Sequence, residues 1–288
     1  MQPGEPSRTA LGAAAHRAVH QVLERGRIFA DPLAVRILGA DAQAAVRDAE
    51  NNASRRMLRL FIAVRTRFAE DALAAAVAHG VRQLVVLGAG LDTYAYRNAF
   101  AESLHVFEVD HPATQAWKRQ RLAEAAIPLP HTLTFAPVDF ERETLAGGLA
   151  AAGFDPAKQS FFTWLGVVPY LTEQAVFSTL GFIAHLPGGA HIVFDYGNPP
   201  ASGLDRDRYA DAQEALAARV ASVGETFRSY YETNALHAKL RALGFREIED
   251  LGPALIRERY FANRGGSLPN RGGHIVRATT VWGRRTFS

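Results

Sequence analysis

Five short apolar runs separated by helical segments set the strongest limit on how this chain can fold. Gln83–Leu87 (QLVVL), Leu104–Val109 (LHVFEV), Thr132–Val138 (TLTFAPV), Ser160–Leu165 (SFFTWL) and Ala190–Phe194 (AHIVF) are short and rich in β-branched and aromatic residues. Continuous apolarity, rather than alternation, marks strands buried on both faces, as in a parallel sheet. Between them, Ala113–Ala126, roughly Glu141–Ala152 and Thr172–His185 read as helices. Strands alternating with helices at this interval build βαβ units and an α/β sheet covered on both faces.

The flanks extend this plan. Met1–Ser7 reads as a disordered tail, and the pattern from Thr9 to about Gly80 is helical. Within it, Thr9–Leu23 carries apolar residues at helical spacing. Asp31-Pro32 reads as a helix start, Asp as N-cap and Pro at the first position, ending at Gly39. Arg55–Ala78 supplies one or two further helices. After the fifth strand come an inserted helix over Asp205–Val223 and another over Asn234–Leu243, stopped by Gly244. Phe245–Asp250 and His274–Trp282 read as two closing strands, an antiparallel pair around the Gly-rich loop Arg264–Gly273. The expected organisation is one domain over 9–288: a helical cap (9–80), a core (81–200), a lid insertion (201–235) and a C-terminal helix with closing strands (236–288).

Composition narrows the function classes. The 288 residues are 48% hydrophobic and 21% charged, as in globular proteins. Apolar stretches such as Leu60–Val64 and Ala72–Ala78 fall far short of the ~20 residues that span a bilayer. No signal-peptide core is visible at the polar N-terminus. The absence of Cys excludes disulfides, thiolate metal sites and a Cys nucleophile, and suits a cytoplasmic chain. The net charge of +3 is scattered, and Arg55-Arg56 and Arg284-Arg285 are no more than doublets, so no nucleic-acid partner and no membrane are expected.

The chemistry-bearing signal is Val85–Thr93 (VVLGAGLDT), a Gly-rich turn leaving a buried strand. Gly88 and Gly90 let the backbone bend and a ligand approach. Ligands of open α/β sheets bind at this carboxyl edge. Thr93 stands where a dinucleotide fingerprint has its third glycine, and a tight turn without a ligand is the plain alternative. Asp110 follows Gly90 by 20 residues at the end of the second strand, where a carboxylate can accept from both hydroxyls of a ribose. A helix N-cap at Asp110-His111-Pro112 is the other reading, and Glu108 points to the same side. Asp139-Phe140 ends the third strand. Asp139 there suits the exocyclic amine of an adenine and the Phe140 N–H a ring nitrogen; a second helix cap is equally compatible.

The runs LVVLGAGLDTYAYR, VFEVDHP, VDF and WLGVVPYLT resemble the leucine carboxyl methyltransferase-like family of class I S-adenosylmethionine-dependent methyltransferases. The upstream FADPLAVRIL and FIAVRTRFAED are similar to the N-terminal helices of that family, and the resemblance covers roughly residues 9 to 282. It implies a Rossmann-like, mostly parallel seven-stranded sheet with an antiparallel last hairpin, an N-terminal helical region and a helical lid. It also implies that Gly88, Ala89 and Gly90 shape the loop under the methionine half of S-adenosyl-L-methionine. Asp110 then holds the ribose, and Asp139 and Phe140 hold the adenine. Arg65 matches an arginine that pairs with the cofactor carboxylate; its alternative is a surface helix arginine, and Arg67 is that or an ion pair. Some family members carry Glu where this chain has Leu165, so Leu165 and neighbouring Trp164 offer apolar packing there instead. That departure favours the bacterial small-molecule branch.

The resemblance implies in-line displacement at a sulfonium methyl, with S-adenosyl-L-homocysteine as product and alignment and desolvation as the main catalytic terms. The acceptor expected is a carboxylate, which needs no base, or a hydroxyl of a small molecule. No catalytic base stands out: His111, His185 and His191 read as structural, and no metal motif is present. Tyr170, Tyr196, Arg228, Tyr230 and Tyr231 are candidates to line the acceptor pocket, or else lid core. A monomer or homodimer is expected. A nicotinamide-dependent dehydrogenase and a non-catalytic cofactor-binding protein are the competing readings.

Overall fold

The computed structural model describes residues 8–52, 55–139, 142–199, 226–261 and 272–281. The expected tail Met1–Ser7, the inserted helix Asp205–Val223 and all but the last two residues of the Arg264–Gly273 loop lie outside the described residues. Seven strands, β1 (Gln83–Leu87), β2 (His105–Asp110), β3 (Leu133–Pro137), β4 (Ser160–Trp164), β5 (Ala190–Gly197), β6 (Glu247–Leu251) and β7 (Gly273–Thr279), follow the order β3-β2-β1-β4-β5-β7-β6. β2 runs parallel to β3 and β4 parallel to β5, whereas β7 is antiparallel to both β5 and β6. This is the α/β, class I-type sheet with an antiparallel last hairpin that the sequence implies. β5 outruns its expected end because Asp195, Tyr196 and Gly197 stay paired with Ile275, His274 and Gly273.

The chain divides into two compact units, Met1–Asp71 with Val85–Phe154, and Ala72–Leu84 with Asp155–Ser288. In the first, α1 (Arg8–Leu23), α2 (Ala34–Leu38) and α5 (Pro112–Glu124) bury Ala14, Ala18, Ile37, Leu38, Leu91 and Leu122 in one apolar cluster. α3 (Asp41–Asn51) is a separate helix, not resolved as such in the helical reading of 9–80. α4 (Arg56–Ala78) is a single helix in place of the one or two expected. α2 starts at Ala34 rather than Asp31. The Asp31 carboxylate accepts the Leu33 N–H at 3.1 Å through one oxygen and the Thr93 hydroxyl at 2.7 Å through the other, so it joins two loops instead of capping. α6 (Leu145–Ala151) is shorter than expected, because Thr144 caps it by accepting the Gly147 N–H at 3.1 Å.

In the second unit, α7 (Glu173–Ala184) is capped by Thr172, and α8 (Thr233–Leu243) ends at Gly244, whose φ of +108° favours glycine. α9 (Pro253–Tyr260) was not anticipated. Asn198, just past β5, gathers two returning stretches of chain. Its amide nitrogen donates to the Tyr231 carbonyl at 3.0 Å, its amide oxygen accepts the Gly272 N–H at 3.3 Å, and its own N–H donates to the Gly272 carbonyl at 3.1 Å. Beside it, Asp250 accepts from Tyr196 at 2.8 Å and lies 2.7 Å from His274 and 2.8 Å from His237. Burial alone would raise the Asp250 carboxyl, but these three partners hold it below its ordinary value. Among the described residues no helix is long and apolar enough to cross a membrane.

Candidate cofactor-binding site

The Gly-rich turn is fastened to the end of β2 by its own backbone. The N–H groups of Gly88 and Ala89 donate to the Val109 carbonyl at 2.9 and 3.1 Å, and that of Gly90 donates to Asp110 Oδ2 at 2.6 Å. Gly88 and Gly90 sit at φ +64° and +46°, the left-handed region where a side chain is strained. A Cβ on Gly90 would also lie 2.8 Å from the Ala10 Cβ, so α1 closes directly over the turn. Three consecutive amide donors are thus satisfied internally. What the turn leaves for a ligand is acceptor chemistry.

Asp110 supplies it. Its Oδ1 accepts the His111 N–H at 2.7 Å, and His111, not Asp110, caps α5 by accepting the Ala113 N–H at 3.2 Å. Each carboxylate oxygen has therefore taken one N–H and keeps acceptor capacity for a hydroxyl. Burial raises the Asp110 carboxyl above its ordinary value, opposed by the Gly90 and His111 N–H groups. Asp139 stands at the end of the adjoining strand: Asp110 pairs with Pro137, and the Val138 N–H donates to the Asp110 carbonyl at 2.9 Å. The Asp139 carbonyl accepts from Arg142 and Glu143 N–H at 2.9 and 2.7 Å in a turn that precedes α6, so Asp139 is not that helix's N-cap. Phe140 lies outside the described residues.

A second ring of charges holds the Leu91-Asp92-Thr93 segment. Arg17 of α1 donates to the Leu91 carbonyl and lies 3.7 Å from both Asp92 and Asp31. Arg97 donates to Thr93 Oγ1 at 3.2 Å, lies 3.5 Å from Asp31, and pairs bidentately with Glu70 of α4. Burial would raise the Asp92 carboxyl, but Arg17, Lys118 and Arg97 together hold it low. Sequence reasoning missed this frame except for Asp31, which announced itself next to a proline and was read as a cap. Reasoning from local pattern also missed that Glu108, beneath the turn, meets Lys118 of α5 at 2.7 Å in the interior. Glu108 is therefore buried rather than presented beside Asp110.

Arg65 is buried on α4, which excludes a solvated surface arginine, and Arg67 pairs with Asp71 at 2.8 Å. The remaining candidates belong to the second unit. Trp164 is buried and Leu165 half-buried at the end of β4. Tyr196 and Tyr231 are interior, the Tyr196 hydroxyl bonding Thr233 at 2.9 Å as well as Asp250. Tyr170 is half-buried, and Arg228 and Tyr230 are exposed. Among the described residues no group of three His, Asp or Glu is placed to hold a metal.

A Gly-rich turn and two acidic residues at adjoining strand ends thus gather at the carboxyl edge of an α/β sheet. Residues 10–184 match the family described as leucine carboxyl methyltransferase, and the chain belongs to that family. YktD of Bacillus subtilis, provisionally named an S-adenosyl-L-methionine-dependent methyltransferase, is 36% identical over 66% of this chain and 62% of its own length. A Mycobacteroides abscessus protein with the same provisional name is 31% identical over 96% of this chain and 85% of its own. The chain spans slightly less than two thirds of YktD and of a similarly named Frankia alni protein, 64% of which is matched. Among solved structures, magnesium protoporphyrin IX methyltransferase from Synechocystis with bound S-adenosylhomocysteine aligns with a TM-score of 0.45 at 13% identity, covering 83% of this chain and 99% of that one. Human N-acetylserotonin methyltransferase in complex with S-adenosylmethionine gives 0.45 at 16% identity, over 94% and 67%.

Proposed function

We propose that the protein is an S-adenosylmethionine-dependent O-methyltransferase that modifies a carboxylate or hydroxyl of a small molecule. The observation that carries this reading is the placing of Asp110 and Asp139 on neighbouring strand ends, joined through the Val138 N–H. A nucleoside needs acceptors for two sugar hydroxyls and for an exocyclic amine, and these two carboxylates are of that kind. The cofactor supplies a methyl carbon on a sulfonium, ready for in-line displacement. The chain's part is to bind, align and exclude water. Asp110 takes the ribose hydroxyls on its remaining lone pairs, Asp139 faces the base, and Arg65 offers a guanidinium to the amino-acid carboxylate. The charged frame around Asp92 keeps the turn in one shape, which limits the entropy lost on binding. A carboxylate acceptor is already ionised near neutral pH and needs no base.

Calorimetry with S-adenosylhomocysteine and with NADH, on the wild type and on Asp110→Ala, tests the reading. S-adenosylhomocysteine should bind, NADH should not, and the variant should bind about 10- to 100-fold more weakly, the worth of charged hydrogen bonds. Binding of NADH alone would overturn the proposal. Transfer of labelled methyl to acids and phenols then separates base-labile esters from stable ethers.

A further inference from the structure

The short segment 226–231 returns to the carboxyl ends of β4 and β5 and is stitched there. The N–H of Arg228 donates to the Pro169 carbonyl at 2.7 Å, the Ser229 hydroxyl to the Val168 carbonyl at 2.9 Å, and the Tyr231 N–H to the Gly197 carbonyl at 3.0 Å. Ser229 and Tyr231 are buried, so the alternation of an extended chain turns Arg228 and Tyr230 outward. Phe227 stacks on Tyr170, ring centres 5.4 Å apart and planes 23° from parallel, and meets Tyr230 nearly edge-on at 6.1 Å. Tyr230 lies against Gly197, where a Cβ would touch its ring at 3.6 Å, and it remains 39% exposed.

We propose that Arg228 and Tyr230, flanked by Phe227 and Tyr170, form a subsite for a planar aromatic carboxylic acid. A partly exposed set of rings at the carboxyl edge of the sheet, on a backbone held by the Arg228, Ser229 and Tyr231 hydrogen bonds, is a prepared apolar surface. Aromatic rings favour offset or edge-on contact with another ring, and a guanidinium favours a carboxylate. Arg228 and Tyr230, two residues apart, are both exposed where Ser229 and Tyr231 are buried, so one ligand can meet both. The inference rests on the methyltransferase reading for the purpose of the site but not for its binding chemistry.

Binding is measured by tyrosine fluorescence and calorimetry, with and without S-adenosylhomocysteine. The probes are 4-hydroxycinnamic acid, its alcohol analogue 4-hydroxycinnamyl alcohol, and hexanoic acid. The aromatic acid should bind at least tenfold tighter than either of the others. Arg228→Gln should bring the acid down to the affinity of the alcohol and leave the alcohol unchanged. Tyr230→Ala and Phe227→Leu should weaken both aromatic probes, while far-ultraviolet circular dichroism and thermal midpoint confirm that each variant is folded. Equal binding of the three probes, or full affinity for the acid in folded Arg228→Gln, overturns the subsite. If S-adenosylhomocysteine binds and no aromatic acid does, the subsite falls and the methyltransferase reading stands. If the acid binds as described and S-adenosylhomocysteine does not, the reverse holds.

Discussion

Lys118 and Glu108 meet at 2.7 Å with each side chain 1% exposed, a charge pair sealed under the Gly-rich turn. Tyr96 adds its hydroxyl to the same Glu108 oxygen at 3.3 Å, and Gln115, one turn earlier on α5, holds the Glu108 carbonyl at 2.8 Å. Removing Lys118 leaves the buried Glu108 either to carry a charge without a partner or to take up a proton, both at a cost. Lys118→Met should therefore lower the unfolding free energy by about 3–5 kcal/mol, read from urea denaturation. A loss under 1 kcal/mol would show that the pair contributes little in place.

The same carboxyl should leave a pH signature. Burial, only partly offset by Lys118, pushes Glu108 up to about 7. An acid whose folded value is raised holds its proton longer folded than unfolded. Its contribution is full below the unfolded value of 4.5 and is lost as pH rises through the folded value. The stability of the wild type relative to Glu108→Gln should fall between about pH 4.5 and 7 and be flat on either side. A constant difference across that window contradicts the assignment.

Gly90→Ala separates strain from collision. The left-handed backbone costs about 1–2 kcal/mol for any residue with a Cβ, and the Ala10 Cβ adds a contact at 2.8 Å. The substitution should be distinctly less damaging in an Ala10→Gly background than in the wild type, measured as a double-mutant cycle of thermal midpoints. Equal penalties in both backgrounds would mean that α1 does not press on the turn.

Asp31→Ala removes the carboxylate shared by Thr93, Arg17 and Arg97. Glu70 and Asp92 still neutralise the two arginines, so the expected loss is about 2–3 kcal/mol rather than that of an orphaned charge. S-adenosylhomocysteine affinity should drop with it although Asp31 touches no part of the proposed ligand. Unchanged affinity in a destabilised but folded variant would confine Asp31 to a purely structural role.

Asp250 gives the opposite pH dependence from Glu108. Its folded value is held low, so its contribution is present above the unfolded value of 3.8 and disappears as pH falls through the lower folded one. Wild type should exceed Asp250→Asn by about 2–3 kcal/mol at pH 7, and the gap should close on acidification below about pH 4. A gap that persists to pH 2 would mean that packing, not charge, holds His274 and His237 there.

Strands were the legible part of the sequence because their signal is local: QLVVL is buried at every position, and β1 occupies those five residues. Gly88, Gly90 and Asp110 were legible for a similar reason, since glycines mark the turn and the acid ends the next strand. The Arg17–Asp31–Arg97–Glu70 frame was not, because its members come from α1, two loops and α4 and no spacing rule joins them. Lys118 shows the same limit. On a helix of mixed polarity a lysine reads as solvated, and only the packing of α5 against β2 reveals that it is buried. Asp31 shows a different one: its two oxygens take the Leu33 N–H and the Thr93 hydroxyl, and only the first of these donors is a sequence neighbour.

Asn198 ties down both Tyr231 and Gly272, so two stretches of chain return to one amide just past β5. Loss of that one amide should slacken both returns together, a single point of failure at the tip of the longest strand.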